Sequence, residues 1–488
     1  MITQPDVLRE VAAVNLGLAA FADAVAGQGA RVAQVDWRPP ADGDPEAIAA
    51  LTRLWGAHGE RVAAANATAV QRIEGASPRA VDVARAGDVI DGLDEHVLLH
   101  SGPPIEWERV CDPQRRALVA AVLFEGWAAD RERAAAMLAD GEITLRPGNE
   151  HAHVGPMTGV CSPSMAVWVV EDEVGGARAY STLNEGPGNT LWFGVGDDES
   201  IERLRFLRDR LGPTLSRILR RQGPVDVFAL VAQGLNMGDE LHMRSQATGN
   251  LLLRDLAGGL AAEGAEDEAR FIAGNHHFFL TLTMAAAKCA SLTASGTEAS
   301  TVVTVMSRNG TDMGVQIAGL PGRWFTSPAA RVQDALLRDG YGPDDAARDI
   351  GDSAIIECVG IGGMALGAAP IVASFFGGDA AAAAANTQLM AEITVARSER
   401  FRIVNDGGAG TPVGVDARLV SELGVAPQIT TGVLHASSGV GQIGAGVAHQ
   451  PVAPFRDAVA ALAAALGGTR DAVGPTLDGA GDAPGGAG

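Results

Sequence analysis

Apolar positions along the chain switch between helical and strand spacing. In residues 15–26, Leu18, Phe21 and Val25 recur at helical spacing. Gln28-Gly29 stops that helix, and residues 31–37 read as a strand ended by Pro39-Pro40. So small a helix-strand piece cannot bury its own apolar face, so residues 1–45 are expected to be a unit that docks on the rest. Residues 46–75 are Ala-rich and helical. Residues 79–84 and 97–104 then read as strands, the second ending in a Gly-Pro turn, and 114–139 as two helices. Strands alternating with helices predict an α/β, Rossmann-like unit over 46–145.

Residues 146–335 predict an α+β domain with strands at 166–170 and 179–183 and a helical insert at about 200–290. Its closing hairpin has strands at 301–306 and 314–320 flanking Asn309-Gly310. Residues 336–466 predict a Gly-rich C-terminal α/β domain with an alanine helix from Ala380. From Gly467 the composition falls to mainly Gly, Ala, Asp and Pro, and 467–488 reads as a disordered tail. The fold class expected is α/β plus α+β in several domains, with a small helical subdomain. Residues 360–378 run nineteen positions without a charge, long enough to span a membrane. Six glycines and Pro370 within them predict a buried loop and helix instead.

Composition narrows the function classes. There are 37 Lys and Arg against 59 Asp and Glu, a net charge of −22, and no basic run, which argues against nucleic acid as a partner. With 62 glycines and only 5% aromatic residues, the core is expected to pack small aliphatic side chains with close backbone approach. Cys111, Cys161, Cys289 and Cys358 form no CxxC pair, so neither a zinc cluster nor a disulfide framework is expected. The first residues lack a basic segment followed by an apolar one, so a cytoplasmic location is expected.

The densest polar cluster is Met237-Gly238-Asp239-Glu240-Leu241-His242-Met243-Arg244. It places two acids, a possible general acid/base and an anion fork within six residues, although Glu240 and Arg244 also have the spacing of a helical ion pair. His151 and His153 would share a face on a strand, but no third ligand stands at motif spacing, so no metal is expected. Asn184-Glu185 opens a polar loop after a strand. Arg308-Asn309 sits at the hairpin tip, where a guanidinium forks onto a carboxylate or phosphate, or is simply exposed. Gly351-Asp352-Ser353 reads as an anion-binding turn or an N-cap. Gly439-Val440-Gly441-Gln442-Ile443-Gly444 is a poor dinucleotide signal, because no βαβ context surrounds it, and reads as a turn or an anion nest. There is no GxSxG elbow.

Several stretches, in order, resemble the YlbE/YahG family. They are His100-Ser101-Gly102-Pro103-Pro104, Leu123-Phe124-Glu125-Gly126-Trp127, Val154-Gly155-Pro156-Met157, Leu183-Asn184-Glu185-Gly186, Gln233-Gly234 with Met237-Gly238-Asp239-Glu240, Arg308-Asn309-Gly310, Trp324-Phe325-Thr326, Gly351-Asp352-Ser353 and Gly441-Gln442-Ile443-Gly444-Ala445-Gly446. The resemblance spans about residues 75–455, and the opening 45 residues are similar to a short unit seen in some members and in partner proteins. It implies a multi-domain fold and a subunit of an oxamate carbamoyltransferase. That enzyme converts oxalurate and phosphate to oxamate and carbamoyl phosphate in allantoin breakdown. The implied partners are an FdrA-like subunit and a small third subunit, with a carbamate kinase downstream. No cofactor is implied.

The family brings no residue roles, so the site is inferred from chemistry. His242, Glu240 and Asp239 are the catalytic candidates. Arg244, Arg308, Asn309, Asn184, Glu185, Asp352, Ser353, His151 and Gln442 are the substrate or anion contacts. The alternative is a non-catalytic scaffold for the FdrA-like subunit, with the apolar Gly-rich segment as its interface.

Overall fold

The computed structural model describes residues 12–468 except Asp36, Phe375, Phe376 and Ser438. The final helix, Ala453–Gly468, runs to the end of that range, and the rest of the tail expected to be disordered lies outside the described residues.

The architecture is mixed α/β and α+β, built from several small sheets. One four-stranded sheet has the order Arg178–Thr182, Ala166–Asp172, Pro78–Arg85, Val225–Asp226, with every neighbouring pair antiparallel. It crosses the boundary expected at 145–146, so segments 46–145 and 146–335 share a sheet. The parallel pairing anticipated for 46–145 is confined there to Val97–His100 beside Thr144–Pro147. A second four-stranded sheet has the order Phe325–Pro328, Asp312–Ile317, Val303–Asn309, Ile350–Gly351. A three-stranded sheet places Gln442–His449 between Gln333–Leu337 and Gln428–Leu434. Gly439 and Gly441 therefore lie in the hairpin turn between the last two strands and Gly444 on the strand Gln442–His449, not in a dinucleotide loop.

The helix Phe278–Ala294 lies between the two four-stranded sheets and packs against both. Apart from Lys288, its residues are apolar or small on every side, the pattern of a helix buried all round. Alanines at 285–287 let neighbouring backbones approach closely. The Gly-rich run likewise turns inward: residues 357–369 form short 3-10 turns and are buried. The interface assigned to that segment in the scaffold reading is thus part of the core. Among the described residues no helix is long and apolar enough to cross a membrane.

The opening unit departs from expectation. Ala12–Asn15 and Arg31–Gln34 pair in parallel around the helix Ala19–Ala26, and these elements pack chiefly on one another. Leu18, Phe21 and Trp37 remain exposed (71%, 62% and 63%). Docking on the body begins at Pro40–Gly43 and Pro45–Trp55, which pack on Ala417–Leu423 and Ala453–Gly468.

Candidate active site

The Met237–Arg244 loop is a turn, not a helix, and the helical Glu240–Arg244 ion pair that the spacing also allowed is not found among the described residues, where the Arg244 side chain pairs with Asp239. Leu241 has a left-handed φ of 76°, which turns the chain back on itself. The Glu240 carboxylate fills the turn, accepting from the backbone N–H groups of His242 (2.9 Å), Met243 and Arg244 (2.7 Å) and from Thr430 Oγ1 (3.3 Å). Burial holds its pKa up at about 7 despite these donors and nearby His242. Asp239 accepts from the Thr248 N–H and hydroxyl at 2.7 and 2.8 Å, tying the loop to the helix Gln246–Glu263, and pairs with Arg244 Nε at 3.2 Å. His242 Nδ1 meets the wholly buried Glu357 at 2.9 Å. Among the described residues Nε2 of His242 has no hydrogen-bond partner.

A cleft of about 280 Å³ is joined to the end of this loop by Ser245 Oγ, which donates to His276 O on the cleft wall at 3.2 Å. Its walls are the Gly186–Asn189 loop with Trp192 and Phe193, the segment Asn275–His277 at the start of the buried helix, and Arg338 with Gln442 from the C-terminal sheet. Glu185 shapes the first wall by accepting from the Leu191 and Trp192 N–H groups (2.7 and 3.0 Å), and its burial raises its pKa to about 7. Asn275 Nδ2 donates to Asn184 Oδ1 at 3.0 Å, while Asn184 Nδ2 is buried without a partner. His277 Nδ1 is also enclosed and unpartnered. Burial, then the fields of His276 and His242, lowers the His277 pKa to about 4, so the ring is neutral near pH 7. Arg338 is exposed on the rim, and no carboxylate among the described residues pairs with it. A larger trough alongside, about 630 Å³, is lined by Glu199, Arg203, Arg210 and Asp267, which already pair with one another or nearby groups. It offers less free recognition chemistry than the smaller cleft.

Arg308, expected at an exposed or ligand-facing tip, is instead wholly buried. Its guanidinium forks onto Asp349 (Nε–Oδ2 2.8 Å, NH2–Oδ1 3.1 Å) and donates to Gly351 O at 2.6 Å. Thr431 Oγ1 and Gln450 Nε2 complete the Asp349 shell. Asn309 folds the hairpin tip, accepting from Thr311 and Asp312 N–H and donating to Pro103 O. One residue from Gly351, Asp352 is a hub. It accepts from Gly102 N (3.0 Å), Asn149 Nδ2 (3.0 Å), Gly155 N (3.0 Å) and Ser307 Oγ. Burial still lifts its pKa to about 6. Gly102 has φ +90°, and an added Cβ would lie 2.4 Å from the Asn309 Cβ, so only glycine lets this turn seat on the hairpin.

A sequence model described as oxamate carbamoyltransferase subunit AllG matches residues 143–353. The chain is 38% identical over 452 residues to the uncharacterized protein YahG of Escherichia coli (strain K12), spanning 91% of this chain and 96% of that one. It is 41% identical over 409 residues to the oxamate carbamoyltransferase subunit AllG of the same organism, spanning 82% and 97%. The chain belongs to the AllG/YahG family. A conserved protein of unknown function from Enterococcus faecalis V583 has a crystal structure with a TM-score of 0.81 to this fold, at 37% identity, covering 83% of this chain and 98% of that one.

The ordered stretches that carried the resemblance now have a spatial meaning. Those containing Gly102, Gly155, Arg308 and Asp352 are far apart in sequence and meet at the Asp352 hub. Asp239, Glu240, His242, Asn184, Glu185 and Gln442 gather beside or behind the 280 Å³ cleft. Arg308, Asn309, Asp352 and Ser353 lie in the hub. Thr430 and Thr431, adjacent on one strand, join the two groups through Glu240 and Asp349. His151 belongs to neither: its Nδ1 meets Asp91 O at 2.8 Å. His153 does not share a strand face with it but is enclosed, with both ring nitrogens unpartnered and a pKa near 3 caused by burial. Sequence reasoning missed Arg338, Asn275, His277, Glu357 and Asp349. The His276-His277 pair just before an apolar helix was the one visible signal among them.

Proposed function

We propose that this chain is a subunit of an oxamate carbamoyltransferase and that the cleft between Trp192, His277 and Arg338 binds the ureido acid. The observation that carries this reading is one small cleft lined both by Arg338, which pairs with no carboxylate among the described residues, and by His277, whose enclosed Nδ1 has no partner among them. Its volume lies at the small end of the usual range for ligand pockets, about 300–1,000 Å³. Arg338 takes the substrate carboxylate. Nδ1 of His277, as a neutral N–H donor, serves the oxyanion that develops as phosphate adds to the carbamoyl carbon. The C–N bond to oxamate then breaks, and the leaving nitrogen takes a proton. His242, held by Glu357 behind His277, supplies it as general acid. The products are oxamate and carbamoyl phosphate, which a carbamate kinase consumes. An FdrA-like subunit and a small third subunit complete the enzyme.

The test is phosphate-dependent formation of carbamoyl phosphate from oxalurate, by the chain alone and with its FdrA-like partner. Arg338→Ala is expected to raise KM about 10- to 100-fold, the worth of a charged hydrogen-bonded contact, while the fold is unchanged. An assembled complex that forms no carbamoyl phosphate refutes the reaction; an unchanged KM refutes the placement. The exposed Leu18, Phe21 and Trp37 favour a second reading, a non-catalytic scaffold for that partner. Full activity in complexes carrying Arg338→Ala and His242→Asn together would select it.

A further inference from the structure

Lys288 is the sole lysine among 488 residues; every other cation of the 37 is an arginine. Lysines normally lie on the surface. This one sits midway along the buried helix and is 3% exposed. Wherever the chain needs only a positive charge, it uses arginine. The two residues differ physically: a guanidinium is a broad planar fork that stays charged, whereas an ammonium is compact and able to lose its proton. Position 288 therefore calls for an amine in particular.

Its surroundings show where that amine points. Lys288 lines a cleft of about 440 Å³ together with Asn149, Glu150, Ser291, Thr304 and Gln316. None of these residues lines the His277 cleft, and eleven residues of helix separate Lys288 from His277, about 16 Å. Among the described residues Nζ has one hydrogen bond, to Asn149 Oδ1 at 3.2 Å, which leaves two of its three donors free there. Asn149 in turn donates to Asp352, so the floor of the cleft is the hub where the family stretches meet. One turn along the same helix face, Ser291 is 1% exposed and its Oγ has no partner among the described residues. Burial lowers the Lys288 pKa to about 8, against the opposing fields of Asp352 and Cys358. The Asp352 oxygens are engaged with Gly102, Gly155, Asn149 and Ser307, and Glu150 at the rim is held by Trp324 Nε1 at 2.9 Å.

We propose that this cleft is a second ligand site, for a small monocarboxylate whose oxygens accept from Lys288 Nζ and Ser291 Oγ. An unpartnered buried hydroxyl and an ammonium with free donors, set one turn apart, match the two oxygens of one carboxylate. A phosphate dianion fits less well, because the Asp352 and Glu150 carboxylates stand close by. The site is independent of the reading given to the Arg338 cleft.

A single lysine makes the test direct. The full chain labelled with 13C-lysine gives one side-chain signal, followed by NMR during titration with oxamate and, separately, inorganic phosphate. Oxamate is expected to shift the Lys288 signal saturably and to raise its pKa by about one unit or more, since a bound anion favours the ammonium. Ser291→Ala is expected to weaken that binding by about five-fold, and Arg338→Ala to leave it unchanged. No saturable shift with oxamate, a response to phosphate alone, or a response lost in Arg338→Ala would each overturn the proposal. Failure of the Arg338 cleft is read separately, from the KM of Arg338→Ala.

Discussion

Replacing Arg308 by methionine separates a structural guanidinium from a substrate-binding one. Methionine keeps much of the side chain's length and apolar bulk but removes the fork. Asp349 is 2% exposed and would keep only neutral side-chain donors, Gln450 Nε2 at 2.9 Å and Thr431 Oγ1 at 3.3 Å. Leaving a buried charge without its counter-ion costs about 3–5 kcal/mol. At about 2 °C per kcal/mol for a large chain, the melting temperature falls by roughly 6–10 °C. The double variant Arg308→Met with Asp349→Leu removes both charges and is expected to recover most of that loss, because a buried ion pair exchanged for apolar side chains is often near neutral. Thermal unfolding of the three proteins, scanned at equal rates, reads these differences. If Arg308→Met melts like the wild type yet loses carbamoyl transfer, the pair is not structural and Arg308 contacts substrate.

Glu185 should contribute a fall in stability between about pH 4.5 and pH 7, opposed below about pH 6.5 by the buried rings of His153 and His277, which the fold keeps neutral. Glu185 has its pKa raised from 4.5 to about 7 by burial, so the fold favours its protonated form. That contribution is complete below about pH 4.5 and is lost as pH rises through about 7, a span worth up to about 3 kcal/mol; Glu240 acts in the same direction. In urea titrations Glu185→Gln should flatten this slope, and identical slopes for variant and wild type would contradict the burial argument. Gly102→Ala places a Cβ 2.4 Å from the Asn309 Cβ at a φ of +90°, and should destabilise by roughly 2–4 kcal/mol. A wild-type urea midpoint for Gly102→Ala would show that the turn does not seat on the hairpin.

The local elements were readable because their signals are local. The spacing of residues 166–170 and 179–183 marked two strands, Asn309-Gly310 marked a hairpin, and the Ala380 helix announced itself by composition. The site was only partly readable. Asp239, Glu240 and His242 attract notice because polar residues crowd together there. The partners that give them meaning, Thr248, Thr430 and Glu357, lie up to 190 residues away.

The sequence by itself determined the element order, the acidic charge, the family through its ordered stretches, and the presence of a single amine side chain. Tertiary structure decided what each polar group faces. It buried Arg308 on Asp349, gathered four distant stretches on Asp352, set Arg338 on the same cleft as His277 with no carboxylate paired to it among the described residues, and placed Lys288 beside Ser291, whose hydroxyl has no partner among them. Periodicity records which way a residue points within its own helix or strand. Which charge meets which depends on long-range packing of separate sheets around one buried helix, and no local pattern encodes those distances.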